Sequence, residues 1–376
     1  MKIAITANSS WAAYNFRFNL AKSIEKEGFK VVFIIPYDGE YSEKLKENFE
    51  CHNLNIDSKS LNPFKDLITL INLFSIYLKV KPDLVCHFTI KLNIYGSISA
   101  KILNIPSIAN ITGLGTVFIK NSFATFFAKF LYKLALIFPS KIFFQNVNDL
   151  NYFVEKKLAR VSKASLVPGS GVDLTKFKFN LNIQKKDRFV FLMISRLLKD
   201  KGLYEYIEAI KIIKKEYPDQ LIEFQLLGEA NANNKTAITV SELNLWVDCG
   251  LINYLGVSDN VQNNILECNC VILPSYREGM PRSILEAFAV GRPSIVSDVP
   301  GCRDIVDHQI NGLICKVKSP EDLAKKMIEM IKLPEQLRIK FAKNGRNKVE
   351  NYFDEKIVIS TYLESINDIL SYEKNF

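Results

Sequence analysis

The sequence predicts an α/β protein built from two doubly wound parallel-sheet (Rossmann-like) domains that face a cleft. The chain has 376 residues, which is too many for one ordinary core and suits two domains of common size. Short apolar runs alternate with amphipathic helical patterns along its whole length. The alternation is interrupted once, by a polar stretch rich in Gly and Lys at residues 169–188, and then restarts.

The first half of the chain contains six predicted strands, which are short apolar runs with few polar interruptions. They lie at residues 3–7, 31–35, 84–88, 107–111, 142–145 and 165–167, with helices at 16–27, 63–80 and 93–103. Gly28 occupies a helix C′ position, while Pro82 and Pro106 each end a helix before a strand. Strands that are apolar along their whole length are buried on both faces, which indicates a parallel sheet covered by helices.

The second half repeats this alternation without repeating the sequence. Its predicted strands are 189–194, 222–227, 252–255, 271–273 and 294–297, and its helices are 203–216, 241–248, 283–290, 320–333, 334–350 and 355–372. We assign residues 1–175 to the first domain and 176–354 to the second. From architecture alone, we expect the last helix, within residues 355–376, to pack back on the first domain. The active site should lie at the carboxyl ends of the strands.

Composition narrows the classes of partner. Hydrophobic residues make up 48% of the chain and charged residues 24%, which argues against a largely disordered protein. The 49 Lys and Arg exceed the 40 Asp and Glu by nine, and a net charge of +9 favours an anionic partner. Because no nucleic-acid-binding signature is present, we expect no nucleic acid, and phosphorylated substrates or an anionic membrane surface remain.

The cysteines and the N-terminus indicate the cytoplasm. The seven Cys include no CxxC pair, and with only three His they offer no zinc-ligand spacing, so reduced thiols are expected. The first residues turn polar too soon for a signal peptide. The longest apolar stretch, 123–138, is broken by Lys129 and Lys133 and falls short of a membrane span.

The most informative segment is residues 274–287, which follow a buried strand and open a helix. Glu278 lies in the loop and Glu286 lies two turns into the helix, so the two carboxylates can line one groove. Gly279, Met280 and Pro281 lead into the helix, whose first amides carry a positive dipole and suit a phosphate or a sugar hydroxyl. A helix-capping Glu with a solvated Glu is the alternative interpretation.

A basic loop follows the first strand of the second domain. Arg196 and Lys201 lie where a diphosphate would bind, at the carboxyl end of that strand. Arg can clamp phosphate oxygens in a bidentate manner while Lys acts as a point charge. A solvated basic loop is the alternative.

In the first domain, small polar loops follow two strands. Asn8 and Ser9 follow the first strand, and Gly113 and Gly115 follow the strand at 107–111, so both loops should face the cleft. Ordinary turns are the alternative for each.

Another strand of the first domain ends at His87. This residue is a candidate base, sugar contact or core histidine, and Lys91 is the better candidate for an anion contact because it follows the strand end. No DxD motif occurs, so no obvious carboxylate pair exists to hold a metal on a diphosphate. Positive charge from Arg196, Lys201 and the helix start at 279–282 would have to neutralise the leaving group.

Together these residues resemble the retaining glycosyltransferase family 4, which has the GT-B fold. Glu278 and Glu286 match its E-x7-E motif, Arg196 and Lys201 match its diphosphate-binding pair, and Gly113–Gly115 is similar to its glycine loop. Gly171-Val172-Asp173 resembles its linker signature, with Ser170 in place of the usual Asn. Segments 89–96, 110–118 and 297–304 are similar to bacterial enzymes that build surface glycans on undecaprenyl diphosphate.

The resemblance implies a role for each matching residue. Glu286 would hold the donor ribose and Glu278 the donor sugar, while Arg196 and Lys201 bind the diphosphate and Gly279 and Met280 present amides. The first domain would bind the acceptor and the second a UDP-sugar. The reaction would retain configuration without a metal cofactor, and the best expectation is α-1,3 transfer of N-acetylgalactosamine to a lipid-linked saccharide at the cytoplasmic face of the inner membrane.

Segment 120–141 is a candidate membrane surface. Lys120, Lys129, Lys133 and Lys141 lie among Phe and Leu, so the segment could lie on anionic lipid and bring a polyprenyl acceptor close. An amphipathic core helix with a solvated basic edge is the alternative.

Two other functions remain open from the sequence. A UDP-N-acetylhexosamine epimerase of the same fold would bind the same nucleotide but need no acceptor. A non-catalytic nucleotide-sugar or membrane-binding scaffold would have no need of Glu278, Glu286, Arg196 and Lys201 together.

Overall fold

The computed structural model describes residues 1–57, 62–113, 123–181, 187–230, 234 and 236–373; for 123–128 and 373 it describes the backbone alone. Contacts divide the chain into two compact units, Met1–Ser170 with Lys356–Phe376, and Gly171–Glu355. Each unit has its own parallel sheet with helices on both faces, which confirms the predicted fold class.

The first unit is built on a seven-stranded sheet with the order β3-β2-β1-β4-β5-β6-β7. Its strands are β1 (Lys2–Thr6), β2 (Lys30–Ile35), β3 (Glu50–Asn53), β4 (Leu84–Phe88), β5 (Ser107–Ile111), β6 (Lys141–Phe144) and β7 (Ala164–Leu166). Its helices are α1 (Ser10–Lys26), α2 (Glu40–Lys46), α3 (Pro63–Val80), a π-helix (Leu92–Gly96), α4 (Ser97–Ile102), α5 (Phe123–Ala135) and α6 (Val147–Glu155), and the chain's last helix, which is introduced below.

Two apolar clusters hold helices on opposite faces of this sheet. One cluster contains side chains of α3, the π-helix, α4, α5 and α6. The other contains side chains of α1, α2 and the last helix of the chain, whose Val358, Tyr362, Ile366 and Leu370 form one stripe. Burial of a large apolar side chain stabilises a fold by roughly 1.5–3 kcal/mol, so this stripe fixes the last helix on the first unit.

The second unit is built on a six-stranded sheet with the order β10-β9-β8-β11-β12-β13. Its strands are β8 (Phe189–Ile194), β9 (Ile222–Leu227), β10 (Asn253–Tyr254), β11 (Cys270–Leu273), β12 (Ser294–Ser297) and β13 (Gly312–Cys315). The remaining helices are α7 (Leu203–Glu216), α8 (Val240–Asp248), α9 (Val261–Leu266), α10 (Arg282–Val290), α11 (Cys302–Ile305), α12 (Pro320–Lys332), α13 (Glu335–Tyr352) and α14 (Glu355–Glu373), the last helix.

Helices cover both faces of the second sheet as well. Side chains of α7, α8 and α12 form one apolar cluster with it, and side chains of α9, α10 and α11 form another. Helix α13 contributes to both clusters, through Phe341 and Val349. The carboxyl ends of the strands stay uncovered by these layers, which is where parallel α/β sheets place their sites.

The structure differs from the predicted elements at two sheet edges, at α1, and at the helices α2, α6 and α11, which were not predicted. The edge strands β3 and β13 were not predicted, because β3 is polar and partly exposed and β13 is short and begins with Gly312. Helix α1 begins at Ser10 rather than at residue 16, because Ser9 caps it and the exposed Trp11 hides its amphipathic pattern.

In the described part of the chain, no helix combines the length and hydropathy that a bilayer crossing requires.

Candidate active site

The second unit has its topological switch point between β8 and β11. These strands are neighbours, and the chain leaves β8 toward one edge of the sheet and β11 toward the other. Such a divergence opens a crevice at the carboxyl ends of the two strands. All the predicted site residues of this unit lie in the two segments that leave this crevice: Arg196, Lys201, Glu278, Gly279, Met280, Pro281 and Glu286.

The segment after β8 carries the two predicted cations. Arg196 is exposed, whereas residues Lys199–Lys201 form a single 3₁₀ turn that brings Lys201 inward. The turn ends at Gly202, whose φ of 78° lies in the left-handed region, and α7 begins directly after it. Glycine adopts this conformation without steric cost, so the tight entry into α7 depends on it.

The segments after β8 and β11 pack backbone against backbone. The amide of Tyr276 donates to the carbonyl of Asp200 at 2.9 Å. A Cβ atom at Gly202 would lie 2.1 Å from the carbonyl oxygen of Pro274, well inside any allowed contact. Glycine at position 202 therefore allows the two segments to touch and places Lys201 beside the loop of Glu278.

Lys201 and Glu278 form a largely buried ion pair. Their Nζ and Oε1 atoms are 2.5 Å apart, and the side chains are 18% and 11% exposed. Behind the pair lies Gly301, where a Cβ would come within 2.3 Å of the Gly279 carbonyl oxygen. The thiol of Cys302 is buried nearby, and burial raises its pKa well above the usual value, so it stays protonated. Lys201 and Glu278 thus place a cation and a carboxylate at this corner of the crevice.

The Glu286 side chain on α10 is largely buried, with 12% of its surface exposed. Arg282 donates to it from Nε at 2.8 Å, one helical turn away. Burial raises the pKa of Glu286, and the opposing charges of Arg282 and Lys176 only partly offset that effect. A buried carboxylate with acceptor capacity to spare can receive hydrogen bonds from two hydroxyl groups of a ligand.

The start of α10 lies between Glu278 and Glu286. Pro281 is the N-cap residue of α10, and its backbone carbonyl accepts from the amides of Ile284 and Leu285. No side chain in the described ranges caps this helix. The first amides of α10, with the positive end of its dipole, therefore suit an anionic or hydroxyl-bearing ligand.

A supporting contact escaped the sequence analysis. The hydroxyl of Tyr276 donates to Glu205 on α7 at 2.6 Å, and Nζ of Lys318 lies 4.7 Å from the centre of the Tyr276 ring. Asp200 in turn accepts from the Thr236 hydroxyl at 2.6 Å. These contacts fix the two loops that carry Lys201 and Glu278. The only sequence signal was the position of Tyr276 inside the motif.

The predicted residues of the first unit follow the neighbouring strands β1, β4 and β5. After β1, Asn8 is half-buried, and Ser9 is the N-cap of α1, with its hydroxyl accepting from the Ala12 amide at 3.2 Å. After β5, Gly113 has a φ of 122°. Gly115 and Lys120 lie outside the described residues. The structure thus brings Asn8, Ser9 and Gly113 to one edge of this sheet.

Lys91 follows β4 but already has an anionic partner. Its Nζ lies 2.5 Å from Asp66 Oδ1 and donates to the Asp57 carbonyl at 2.8 Å. Asp66 also accepts from the Tyr95 hydroxyl at 2.9 Å, and the Lys91 and Asp66 side chains are 13% and 14% exposed. An anionic ligand of Lys91 would have to compete with this pair.

His87 is fully buried in the first unit. Its Nδ1 lies 3.3 Å from the Thr6 hydroxyl, and a Cβ at Gly96 would come within 2.6 Å of the ring. Burial lowers the pKa of His87 to about 3, so the imidazole is neutral at physiological pH. Of the three interpretations open from the sequence, this position favours a core histidine.

Two family models match the chain. The model described as "Glycosyl transferases group 1" matches residues 175–348, and the model described as "Glycosyl transferase 4-like" matches residues 2–146. The first match contains Arg196, Lys201, Glu278 and Glu286, and the second contains Asn8, Ser9, Lys91 and Gly113.

Curated relatives are similar over nearly the whole chain. The N,N'-diacetylbacillosaminyl-diphospho-undecaprenol alpha-1,3-N-acetylgalactosaminyltransferase of Campylobacter jejuni is 30% identical, with 98% of this chain and 99% of the relative covered. The UDP-Gal:alpha-D-GlcNAc-diphosphoundecaprenol alpha-1,3-galactosyltransferase of Escherichia coli is 26% identical, with 88% and 87% covered.

Solved structures show the same fold. The crystal structure of Anabaena HepE in complex with UDP and glucose superimposes with a TM-score of 0.82 at 19% identity, covering 98% of this chain and all of that one. The sucrose-phosphate synthase of Thermosynechococcus elongatus gives a TM-score of 0.81 at 17% identity, covering 99% of this chain and all of that one.

Proposed function

Because the chain belongs to the glycosyltransferase family whose members combine a 4-like domain with a group 1 domain, we propose that it moves a sugar from a UDP-sugar to a lipid-linked saccharide in bacterial surface polysaccharide synthesis. The observation that carries the proposal is the switch-point crevice of the second unit, where Lys201, Glu278 and Glu286 lie beside an uncapped helix start. Fixed cations, largely buried carboxylates and the amides of a helix start are the groups that recognise a sugar nucleotide.

The acceptor and linkage are inferred from the two relatives. Both names specify an alpha-1,3 transfer to a saccharide on undecaprenol diphosphate, whereas one donates N-acetylgalactosamine and the other galactose. We therefore propose an undecaprenyl-diphosphate-linked acceptor and an α-1,3 linkage. N-acetylgalactosamine is the proposed donor sugar, because the relative that transfers it has the higher identity and coverage.

The proposed donor contacts follow the geometry of the crevice. Arg196 and Lys201 bind the diphosphate, and the amides of Gly279 and Met280, followed by Pro281 at the start of α10, meet the phosphate or the sugar. Glu286 accepts from the ribose hydroxyls and Glu278 from the donor sugar. HepE, of the same fold, binds UDP-glucose, which supports a UDP-sugar as the donor class.

The Lys201–Glu278 pair suits this arrangement without rearrangement of the loops. An ammonium group has three donors, so Lys201 can keep Glu278 and still donate to a phosphate oxygen. The Glu278 carboxylate beside this cation has a second oxygen that can accept from a sugar hydroxyl.

The proposed reaction retains the configuration of the donor sugar. The acceptor hydroxyl attacks the anomeric carbon on the face from which UDP departs, the bond from that carbon to the β-phosphate oxygen breaks, and the departing oxygen takes the hydroxyl proton. Charge then develops on UDP, where Arg196, Lys201 and the α10 amides stabilise it. This set of charges supplies what a metal ion would otherwise provide, so we propose a metal-independent transfer.

The proposed location is the cytoplasmic face of the inner membrane, with peripheral attachment. The described part of segment 120–141 supports attachment, since Phe130 and Leu134 are about half exposed and Lys133 is exposed beside them. Basic and apolar side chains on one surface favour anionic lipid.

The test is a donor screen. The full chain is incubated with a panel of UDP-sugars and a short-chain diphospholipid–saccharide acceptor, with and without EDTA, and products are identified by mass and anomeric NMR. We expect one UDP-sugar, UDP-N-acetylgalactosamine, to give an α-linked product that EDTA does not reduce. Loss of activity in EDTA with rescue by manganese would contradict metal independence. Epimerised UDP-sugar formed without acceptor would favour the epimerase instead.

A further inference from the structure

Helix α3 has a second apolar face that no element of the described chain covers. Its buried face, with Leu73, Ile76, Tyr77 and Val80, packs on the sheet. On the opposite side, large apolar side chains recur at helical spacing and are strongly exposed, at 76%, 54%, 58%, 54% and 49% for Phe64, Leu67, Ile68, Ile71 and Leu78. At 3.6 residues per turn they fall within an arc of about 100°.

This second face is longer and more regular than scattered surface apolar residues. A helix that is apolar on both sides normally has a partner on each, and a contiguous exposed apolar patch marks an interaction surface. We call the five residues Phe64, Leu67, Ile68, Ile71 and Leu78 the α3 stripe.

The charges around the α3 stripe suit an anionic partner. The helix has one carboxylate, Asp66, which Lys91 and Tyr95 neutralise on the inner side. The exposed flank carries Lys79 and also Lys65, whose charge Asp57 balances at 2.8 Å. The positive charge beside the stripe thus comes from Lys79, and Lys133 of α5 adds to it, so a protein partner with an acidic rim and an anionic bilayer would both match.

Helix α5 has a second group of exposed apolar side chains on the same face of the sheet. Helices α3 and α5 belong to the same apolar cluster on one face of the first unit's sheet, and both contact the π-helix between them. Beyond Phe130 and Leu134 of α5, Ile137 and Phe138 are 45% and 38% exposed. The outer side of this helical layer is thus apolar and basic over two helices.

We propose that the α3 stripe inserts into the headgroup and acyl boundary of an anionic bilayer, while Lys129 and Lys133 of α5 supply electrostatic attraction. An interfacial helix of this kind buries its apolar face some 5–10 Å into that boundary. The choice of a bilayer over a second copy rests on the proposed function, because a lipid-linked acceptor is held in one. Burial of the apolar stripe would provide the part of the membrane affinity that high salt does not weaken.

The experiment is vesicle sedimentation with the full chain. Vesicles of phosphatidylethanolamine and phosphatidylglycerol are compared with phosphatidylcholine at about 0.1 M and about 1 M NaCl, where the Debye length falls from ~10 to ~3 Å. Ile68→Gln/Ile71→Gln tests the stripe. Leu245→Gln/Val257→Gln, which removes two exposed apolar side chains from the second unit, is the matched control. Lys129→Glu/Lys133→Glu tests the electrostatic part.

We expect the Ile68/Ile71 variant to lose binding about tenfold or more, including the fraction that resists high salt. The lysine variant should lose only the salt-sensitive fraction, and the control should bind like wild type. Sedimentation velocity is run on the same samples. Unchanged vesicle binding in the Ile68/Ile71 variant overturns the proposal, as does a wild-type dimer that this variant converts to monomer.

Turnover on a water-soluble short-chain acceptor separates this inference from the proposed function. We expect the Ile68/Ile71 variant to keep wild-type turnover there. If no donor and acceptor react in wild type but vesicle binding still depends on the stripe, the proposed reaction fails and the membrane surface stands.

Discussion

The single residues that matter most in this protein are charged groups with little access to water. Lys201–Glu278 and Arg282–Glu286 each join opposite charges whose side chains are less than one fifth exposed. Water screens such groups weakly, so each acts on a neighbouring ligand more strongly than a surface charge would. The removal of one partner also leaves the other charge poorly solvated.

The first residue-scale prediction concerns the two cations. Arg196→Ala or Lys201→Ala should lower kcat/KM by about 10²–10³, the usual effect of losing one preorganised contact to developing charge. Steady-state kinetics and thermal melting are measured together. Arg196 is exposed, so its variant should melt like wild type. Arg188→Ala, which removes an exposed cation of the same unit, should change neither property, and near-wild-type turnover in both test variants would remove the assignment.

The second residue-scale prediction concerns Glu286, whose buried charge should lower the stability of the fold and strengthen the binding of the donor. Burial raises its pKa, so the folded state disfavours the ionised form, and the fold loses stability as pH rises through the interval above the unfolded pKa. Glu286→Gln removes this loss and keeps an acceptor for Arg282. Because the variant also removes the charge opposite Arg282, we expect its melting temperature relative to wild type to increase as the pH is raised, with about 10- to 100-fold weaker UDP binding by calorimetry. Unchanged UDP affinity would contradict the ribose role.

His87 should make the fold sensitive to acid. Its pKa is about 3 in the folded chain against 6.5 for an ordinary histidine, so below pH 6.5 the unfolded chain binds a proton that the folded chain does not. Stability therefore falls on acidification, by up to about tenfold in the folding constant per pH unit. Urea titrations at several pH values give the free energy of unfolding as a function of pH. In His87→Asn this free energy should fall less on acidification, by the contribution of one bound proton. An equal pH dependence in both proteins would show that His87 is protonated in the folded chain.

At the scale of elements, the site depends on the contact between two loops. Gly202 ends the turn after β8 and touches the carbonyl of Pro274 after β11. The distance between the two strands therefore fixes the distance between Lys201 and Glu278. Two neighbouring parallel strands hold the loops at a fixed separation. A small local change here should thus alter catalysis without unfolding the sheet.

Gly202→Ala tests this contact. The added Cβ would lie 2.1 Å from the Pro274 carbonyl oxygen, so the loops must separate and Lys201 must move from Glu278. We expect a loss of turnover comparable to that of Lys201→Ala. Gly250→Ala is the matched control, because its φ of 64° is equally left-handed but nothing lies within 4 Å of the new Cβ. If both variants lost stability equally and neither lost turnover, backbone strain alone would explain the result.

At the scale of the whole molecule, the first unit is completed by the end of the chain. Tyr362 of α14 is fully buried against Phe88 and Phe143, and its hydroxyl hydrogen-bonds to the Asn110 amide. Tyr362 lies 252 positions after Asn110, its hydrogen-bond partner on β5. The first unit therefore depends on a segment that follows the entire second unit.

Tyr362→Ala should destabilise the first unit by about 3–5 kcal/mol, the usual cost of removing a large buried aromatic side chain. Tyr352→Ala, at a position that is 64% exposed, is the control and should have little effect. Differential scanning calorimetry would follow both units. We expect the transition of the first unit to move down in temperature while that of the second stays in place. A uniform shift of a single transition would show that the two units unfold together.

The sequence by itself determined the fold class and predicted which loops carry the candidate site of the second unit. Continuous apolar strands indicate a doubly covered parallel sheet, and such sheets place loops such as 195–202 and 274–281 at one edge. It did not predict β3 or β13, since an edge strand has a single neighbour and carries a weaker apolar pattern. Both the predicted strands and the two missed ones reflect the same limit, because a sequence pattern reports only the local spacing of apolar residues.

Tertiary structure alone decided which charges meet. Lys201 and Glu278 are 77 positions apart, and Lys91 and Asp66 are 25 apart, so no local pattern could pair them. Their pairing depends on the path that each loop takes after its strand. Close backbone contacts, such as that of Gly202 with Pro274, fix this path. The burial that shifts the pKa values of Glu286 and His87 has the same origin, because it comes from elements distant in sequence that pack around each side chain.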